Sequence, residues 1–329
     1  MFETTLVGNQ PKIIETPGTP NLRLARNQFD RGKINAEQLE EILQETIRQT
    51  VRDQVAAGIH RVTDGRIRWD DPVTPFAAAH DGFEIGGLIR FFDNNVYYRR
   101  PTITGPVRFV RSAVAEDFRL AAKAAGRPVL AALCGPFSMA KFCTDTNYNN
   151  SHDLYSDCAR LVRGELEALV DAGADWVQLD EPFLGFHPEE IGPACDAIAA
   201  AVRGVKTKVF IYTYFAPVAK VIKRLWDLPV AMIGADCASS PANIDALCEG
   251  PSAMGRAFGL IDARNTRLES ADQLARTLDR IAESGADKWS QCWITPSAAL
   301  EFLPYKNAVA KMKRMTESVA AFTGAPVVN

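Results

Sequence analysis

No apolar run in the 329-residue sequence approaches the roughly 20 residues that a bilayer-spanning helix needs. The opening stretch MFETTLVGNQPK carries an acid where a secretory leader would have its basic segment. Both absences lead us to expect a cytoplasmic protein with no membrane partner. Charge of one sign is also lacking: 37 Lys and Arg stand against 40 Asp and Glu, a net charge of −3, with no basic cluster. Nucleic acid is therefore not expected as a partner, and a small-molecule substrate is. Cysteine is present but unpaired in pattern. Cys134, Cys143, Cys158, Cys195, Cys237, Cys248 and Cys292 form an odd set with no CxxC or CxC, which fits reduced thiols rather than a disulfide framework. Histidine is scarce, and His60, His80, His152 and His187 include no pair at metal-ligand spacing. Neither GxGxxG nor GxxxxGK[ST] follows any strand-like run, which removes the strongest argument for a nucleotide-binding open sheet.

What the chain does have is a repeating unit. Residues 36–58 place Leu39, Ile42, Leu43, Ile47, Val51 and Val55 on one helical face, stop at Gly58, and lead into the strand-like IHRVTDG. ELEALVDAGADWVQLDEP repeats helix, glycine stop and strand, and TLDRIAESGADKWSQCWITP repeats them again. Further strands are expected at 4–9, 128–134, 207–215, 230–236 and 257–263. Strands this apolar, alternating with helices, imply a parallel sheet covered on both faces. With 47% hydrophobic residues and no linker, we expect a single α/β domain over 1–329, a (β/α)₈ TIM barrel. The stretch 66–127 fits βα units poorly and is expected to form loops and a hairpin over the C-terminal face.

Barrels of this kind bind ligands at the C-terminal ends of their strands. That rule singles out Asn9, Asp64, Arg66, Asp180, Glu181, Tyr212, Tyr214, Asp236, Asp262 and Arg264. Each also has a structural reading. Asp64 before Gly65 can make a turn, the tyrosines can be core aromatics, and Asp262 with Arg264 can be an ion pair. Because adjacent strand residues face opposite sides, Asp180 and Glu181 cannot both enter one site. One is expected to serve the site and the other to anchor a loop or pair with a cation.

TTLVGNQPK, VTDGRIRWD, YYRRPTITGPV, CGPFSMAKF, QLDEP and GLIDARNTRLES occur in the order and approximate spacing of the cobalamin-independent methionine synthase catalytic barrel. The chain resembles that family, its archaeal single-barrel relatives included, over nearly its whole length. The resemblance implies methyl transfer from methyltetrahydrofolate to a thiol held on zinc. It also sharpens the departures. The family's His-x-Cys, Glu and final Cys zinc ligands fall on Tyr212, Tyr214, Asp236 and Ala298, a set unsuited to zinc. A zinc cofactor is therefore not expected, and a site rebuilt from Asp236, Cys237 and Cys292 is the remaining route to one. The glutamate that holds the homocysteine amino group falls on Arg66, whereas the aspartate of DEP persists as Asp180.

Arginine in place of that glutamate disfavours an ammonium and favours an acidic or neutral acceptor other than homocysteine, provided Arg66 is not paired internally with Asp64 or Asp180. On the cofactor side, Phe142 stands where the family has a pterin-contacting Trp, and Arg99 and Arg100 resemble its basic folate segment. A reduced folate is thus the expected cofactor. Tyr212, Tyr214, Asp236 and Asp180 are the catalytic candidates, a tyrosine hydroxyl serving as acid or base if neighbours such as Arg264 lower its pKa. Asn9, Asp64, Arg66, Asp180, Glu181, Asp262 and Arg264 are the substrate-binding candidates. The alternatives are a metal-free lyase or decarboxylase of the uroporphyrinogen-decarboxylase type, or a ligand-binding pseudoenzyme.

Overall fold

Residues 2–327 are described by the computed structural model. Seven strands lie parallel in one sheet: β1 (Phe2–Thr4), β4 (Ala131–Cys134), β6 (Trp176–Asp180), β7 (Lys208–Thr213), β8 (Met232–Asp236), β9 (Gly255–Ile261) and β10 (Cys292–Pro296), in the order β1-β10-β9-β8-β7-β6-β4. An eighth position closes the ring. Thr5 bridges Arg61, and Val62 bridges Val129, both in parallel sense. IHRVTDG thus contributes only two paired residues to the barrel, because Gly65 and Arg66, both at positive φ, turn the chain out of the sheet at once.

The first strand is also shorter at its far end than its sequence suggests. Gly8 adopts φ +66°, and a β-carbon there would meet Ala299 at 2.7 Å, so residues 6–9 leave the strand as a close-packed turn. The remaining expected strands appear within three residues of their anticipated bounds. The helix at Ala36–Ala56 starts from a capping box in which Asn35 accepts from Gln38 while Gln38 reaches back to the Asn35 amide.

Inside the barrel, the N-terminal layer is aromatic. Trp176 and Trp293 rings lie 4.7 Å apart, Phe210 packs on Trp293 at 5.4 Å, and the Arg61 guanidinium sits 5.5 Å from the Trp293 ring. This plug leaves the opposite, C-terminal end for polar groups.

The long insertion forms the expected hairpin. β2 (Asp81–Arg90) and β3 (Tyr97–Arg108) pair antiparallel, and a two-residue β5 (Thr144–Asp145) adds to β3. The hairpin tip carries Phe91 and Phe92 back over the C-terminal mouth. Phe92 touches Phe142 beyond β4, Phe183 and Phe186 beyond β6, and Phe215 beyond β7.

Candidate active site

Parallel registration puts Cys134, Asp180 and Tyr212 side by side at the ends of β4, β6 and β7, facing the same way. Asp180 is 3% exposed and fully engaged: Gln178 Nε2 donates to its Oδ1 at 2.6 Å, and Arg66 Nη2 donates to its Oδ2 at 2.7 Å. Arg66 reaches this point because Gly65 and Arg66 both adopt positive φ, 72° and 47°. A β-carbon on Gly65 would come within 2.7 Å of Thr50 Cγ2, so glycine is required there. The guanidinium also donates through Nε to the Ala132 carbonyl at 3.2 Å and lies 5.6 Å from the Trp69 ring. The cation expected to read an acidic group is therefore neutralised by Asp180, the case in which that expectation loses its basis.

Glu181 turns the other way, as the period-two argument requires. Its oxygens accept from the amides of Phe137 at 3.1 Å and Ser138 at 2.8 Å, tying β6 to the helix Pro136–Phe142. Both oxygens accept a backbone amide, so Glu181 serves as the anchor between this strand and the helix. Burial pushes its carboxyl up to about 7. Asp64 is likewise raised, to about 6, by burial and by the nearby Asp117.

Tyr212 lies across the barrel interior. Its hydroxyl donates to the Pro296 carbonyl at 2.7 Å and accepts from Thr295 Oγ1 at 3.2 Å. Glycines make its path: a β-carbon on Gly259 would meet Tyr212 Oη at 2.3 Å, and one on Gly234 would meet its Cδ2 at 2.8 Å. Tyr214, two residues on, lines a small cavity with Asn9, Arg66, Glu301 and Phe302. Burial first, and then Asp236 for Tyr212 or Asp180 for Tyr214, drive both phenols well above their ordinary pKa. Arg264, expected to lower one of them, instead donates to the Asp93 carbonyl at 3.0 Å and covers the Phe215 ring at 5.2 Å. Neither tyrosine is thus prepared to act as a base.

Asp236 accepts from the amides of Ser239 at 2.9 Å and Phe215 at 3.3 Å, fixing the loops after β8 and β7. Asp262 accepts from the Arg264 amide at 2.7 Å and from the Asn265 side chain, so it shapes its own turn and does not form the side-chain pair with Arg264. Cys237 follows the C-terminal end of β8, whereas Cys292 opens β10 opposite Phe2 and Arg256. They stand at opposite ends of the barrel, which rules out their sharing a rebuilt zinc site with Asp236.

On the folate side, Phe142 is 3% exposed and stacked by Phe91 at 5.4 Å, with Phe183 at 4.8 Å on its edge. Its ring belongs to the roof over the mouth. Arg100 donates to the Cys143 carbonyl at 3.3 Å and flanks an open recess with Asp145, Tyr148 and Glu190. Arg99 is exposed on β3, its amide held by Thr74 Oγ1 at 3.2 Å. These three residues lie outside the Asp180 layer.

Sequence reasoning missed Glu301, Lys12 and Gln178. Glu301 lines the same cavity as Asn9, Arg66 and Tyr214, and its Oε2 accepts from Lys12 Nζ at 2.6 Å. Its amide donates to the Asn9 carbonyl at 3.1 Å, joining the loop after β10 to the turn after β1. Burial raises its carboxyl despite Lys12. Asn9 is 1% exposed; among the described residues neither of its side-chain amide atoms has a partner in good hydrogen-bond geometry, although it lies close enough to Glu301 to oppose the rise of that carboxyl's pKa. Gln178 had a legible signal, since it lies two residues before Asp180 on the same strand face.

Comparison with known proteins places this geometry. Methionine synthase of Sulfolobus acidocaldarius is 27% identical over 319 residues, covering 96% of this chain and 91% of that protein. Methionine synthase of Saccharolobus islandicus is 28% identical over 320 residues, covering 96% and 93%. A B12-independent methionine synthase from Shewanella, solved with selenomethionine, superposes with a TM-score of 0.80 at 19% identity, covering 98% of each chain. A putative vitamin-B12 independent methionine synthase from Listeria monocytogenes superposes with a TM-score of 0.72 at 17% identity, again over 98% of each. A family profile described as the catalytic domain of cobalamin-independent synthase matches residues 2–321, and the chain belongs to that family.

Proposed function

We propose that the protein transfers a methyl group from a reduced folate to a small uncharged acceptor other than homocysteine, without zinc. The observation that carries this reading is the buried pair Arg66–Asp180. By the family resemblance, residue 66 and residue 180 are the two positions whose carboxylates would hold an amino group. Here one is a cation and the other is neutralised by it. An ammonium brought to this pocket would meet no free carboxylate at either position, and the remaining carboxylate there, Glu301, is already held by Lys12. An uncharged group meets no such penalty, and the buried Asn9 amide beside Glu301 offers it a donor and an acceptor.

Three features support the reading without zinc. Tyr212 and Tyr214 are phenols held well above their ordinary pKa, Asp236 is occupied by two backbone amides, and Ala298 offers no ligand atom. A donor set of this chemistry does not fit the ion. The folate, when bound, supplies an N-methyl group. The chain's own contribution is then to take the acceptor's proton as the new bond to carbon forms, while the carbon–nitrogen electron pair stays on the donor nitrogen, which takes up a proton from solvent. Glu301 is the residue suited to accept that proton, being a carboxylate that lines the cavity, is raised by burial above its ordinary pKa and is held by Lys12. Tyr214 is then a hydrogen-bond donor to the acceptor, a role that a raised pKa suits.

The test is metal analysis of the purified protein combined with transfer of isotopically labelled methyl from methyltetrahydrofolate to a panel of neutral, acidic and amino-acid thiols and amines. Label on a non-homocysteine acceptor, at substoichiometric zinc and unaffected by chelation, is the expected result. Stoichiometric zinc with chelator-sensitive methylation of homocysteine would overturn the proposal.

A further inference from the structure

We propose that the tip of the β2–β3 hairpin is a gate over the acceptor cavity, with Phe91 closing the cavity, Phe92 seating the tip on the aromatic roof, Arg264 as its latch and the Gly86–Gly87 bulge as its hinge. The inference rests on the reading of the barrel mouth as the active site, and adds how that site is reached.

The cavity beneath Phe91 and Phe302 has room for about one water molecule. No acceptor larger than that can reach Asn9, Arg66, Tyr214 or Glu301 while the tip is down. Ring packing and a few polar contacts hold it down: Phe91 stacks on Phe142 at 5.4 Å, and Tyr98 donates to the Phe142 carbonyl at 3.1 Å. The Phe92 ring lies 5.0 Å from Phe183, 5.3 Å from Phe186, 5.4 Å from Phe215 and 5.8 Å from Phe142. Arg264 donates to the Asp93 carbonyl at 3.0 Å across 171 residues of sequence.

Backbone strain marks the same contact. Among the described residues, only Arg66, Phe92 and Phe215 are non-glycine residues at positive φ, and all three are at the mouth. Phe92 at 52° and Phe215 at 69° face each other across it. Bulky side chains in this region are held there by their surroundings and relax when the surroundings let go.

The hinge is in the strand itself. Register between β2 and β3 shifts from Ile85–Pro101 to Leu88–Arg99, so Gly86 and Gly87 together face Arg100. A β-carbon on Gly86 would strike the Arg100 carbonyl at 2.5 Å, whereas Gly87 has open space around it. Glycines in a bulge allow the outer half of the hairpin to bend while the base stays paired.

Cys134 reports on the gate whatever the substrate. It faces the site beside Asp180, is 2% exposed, and lies beneath the roof. Cys158, on the helix Ser151–Asp171, and Cys292, at the other end of the barrel, are buried controls. The experiment measures N-ethylmaleimide labelling of each cysteine by peptide mass spectrometry in the wild-type protein, Arg264→Ala and Phe92→Ala. Arg264 is a surface side chain, so its variant tests the gate even if Phe92→Ala folds poorly. The expected result is labelling of Cys134 accelerated at least about tenfold in Arg264→Ala, with Cys158 and Cys292 unchanged, as selective local opening requires. Unchanged labelling of Cys134, or equal acceleration of all three, would overturn the gate and leave the hairpin as fixed structure. Because no methyl donor or acceptor is involved, failure of the methyl-transfer reading leaves this outcome untouched.

Discussion

Arg66 and Asp180 meet at 2.7 Å inside the barrel mouth, 114 residues apart in sequence and each almost wholly buried. A pair in this position is costly to break, because the surviving partner becomes an uncompensated buried charge. Arg66→Met and Asp180→Leu are each expected to lower stability by about 3–5 kcal/mol, while the double variant loses much less than the sum. Urea unfolding of the three variants checks this. Additive losses would mean that the two charges are solvated separately and that the pocket is not neutralised.

Tyr212 and Gly259 are a second coupled pair. Gly259→Ala would drive a β-carbon onto the tyrosine oxygen, and onto the Ser297 backbone at 2.9 Å. We expect about 3 kcal/mol of destabilisation from that overpacking. Tyr212→Phe should cost about 1–2 kcal/mol for the hydrogen bond to Pro296, yet relieve part of the Gly259→Ala penalty by removing the oxygen. A thermal-denaturation cycle showing no favourable coupling would mean that Tyr212 does not occupy the space across β9 to β10.

Much of this was written locally and some of it was not. The parallel strands were readable because burial on both faces leaves near-continuous apolar runs, and the division of labour between Asp180 and Glu181 followed from strand alternation alone. Partner choice was less accessible. Whether Arg66 faces a ligand or Asp180 depends on two positive-φ residues in succession, one of them an arginine, which a side-chain pattern does not signal. Glu301 sits in a short turn after β10 with no periodicity to mark it, and its role comes from Asn9 and Lys12 near the other end of the chain. Arg264 was read against its neighbour Asp262, but its partner is the hairpin tip.

The anchor Glu181 predicts a pH dependence of stability. Its carboxyl is raised to about 7 in the folded protein, against about 4.3 for an exposed glutamate. Between those values the folded state holds a proton that the unfolded chain has released. Stability should therefore fall as pH rises from about 4 to 7 and level off above, by roughly 3–4 kcal/mol, with Asp64 adding in the same direction up to about 6. Glu181→Gln is expected to flatten this decline. Denaturant midpoints at pH 5 and pH 8 decide it, and an equal decline in the variant would place the proton elsewhere.

Glu301 gives the kinetic prediction. If it accepts the acceptor's proton, only its ionised form is active, so the rate rises with pH through the carboxyl's titration and reaches a plateau. Burial places that rise above the ordinary glutamate range. Glu301→Gln preserves the shape of the side chain and an oxygen for Lys12, so the fold is expected to persist while kcat falls by about 10²-fold with little change in KM. Glu301→Asp should recover part of the loss, since it restores the charge at a shorter reach. A purely structural Lys12–Glu301 pair would behave differently: the glutamine variant would lose stability, keep its kcat and show the wild-type pH profile. Measuring kcat and KM for methyl transfer across pH 5–9 in all three proteins, beside their melting temperatures, separates a base in the cavity from a brace beneath it.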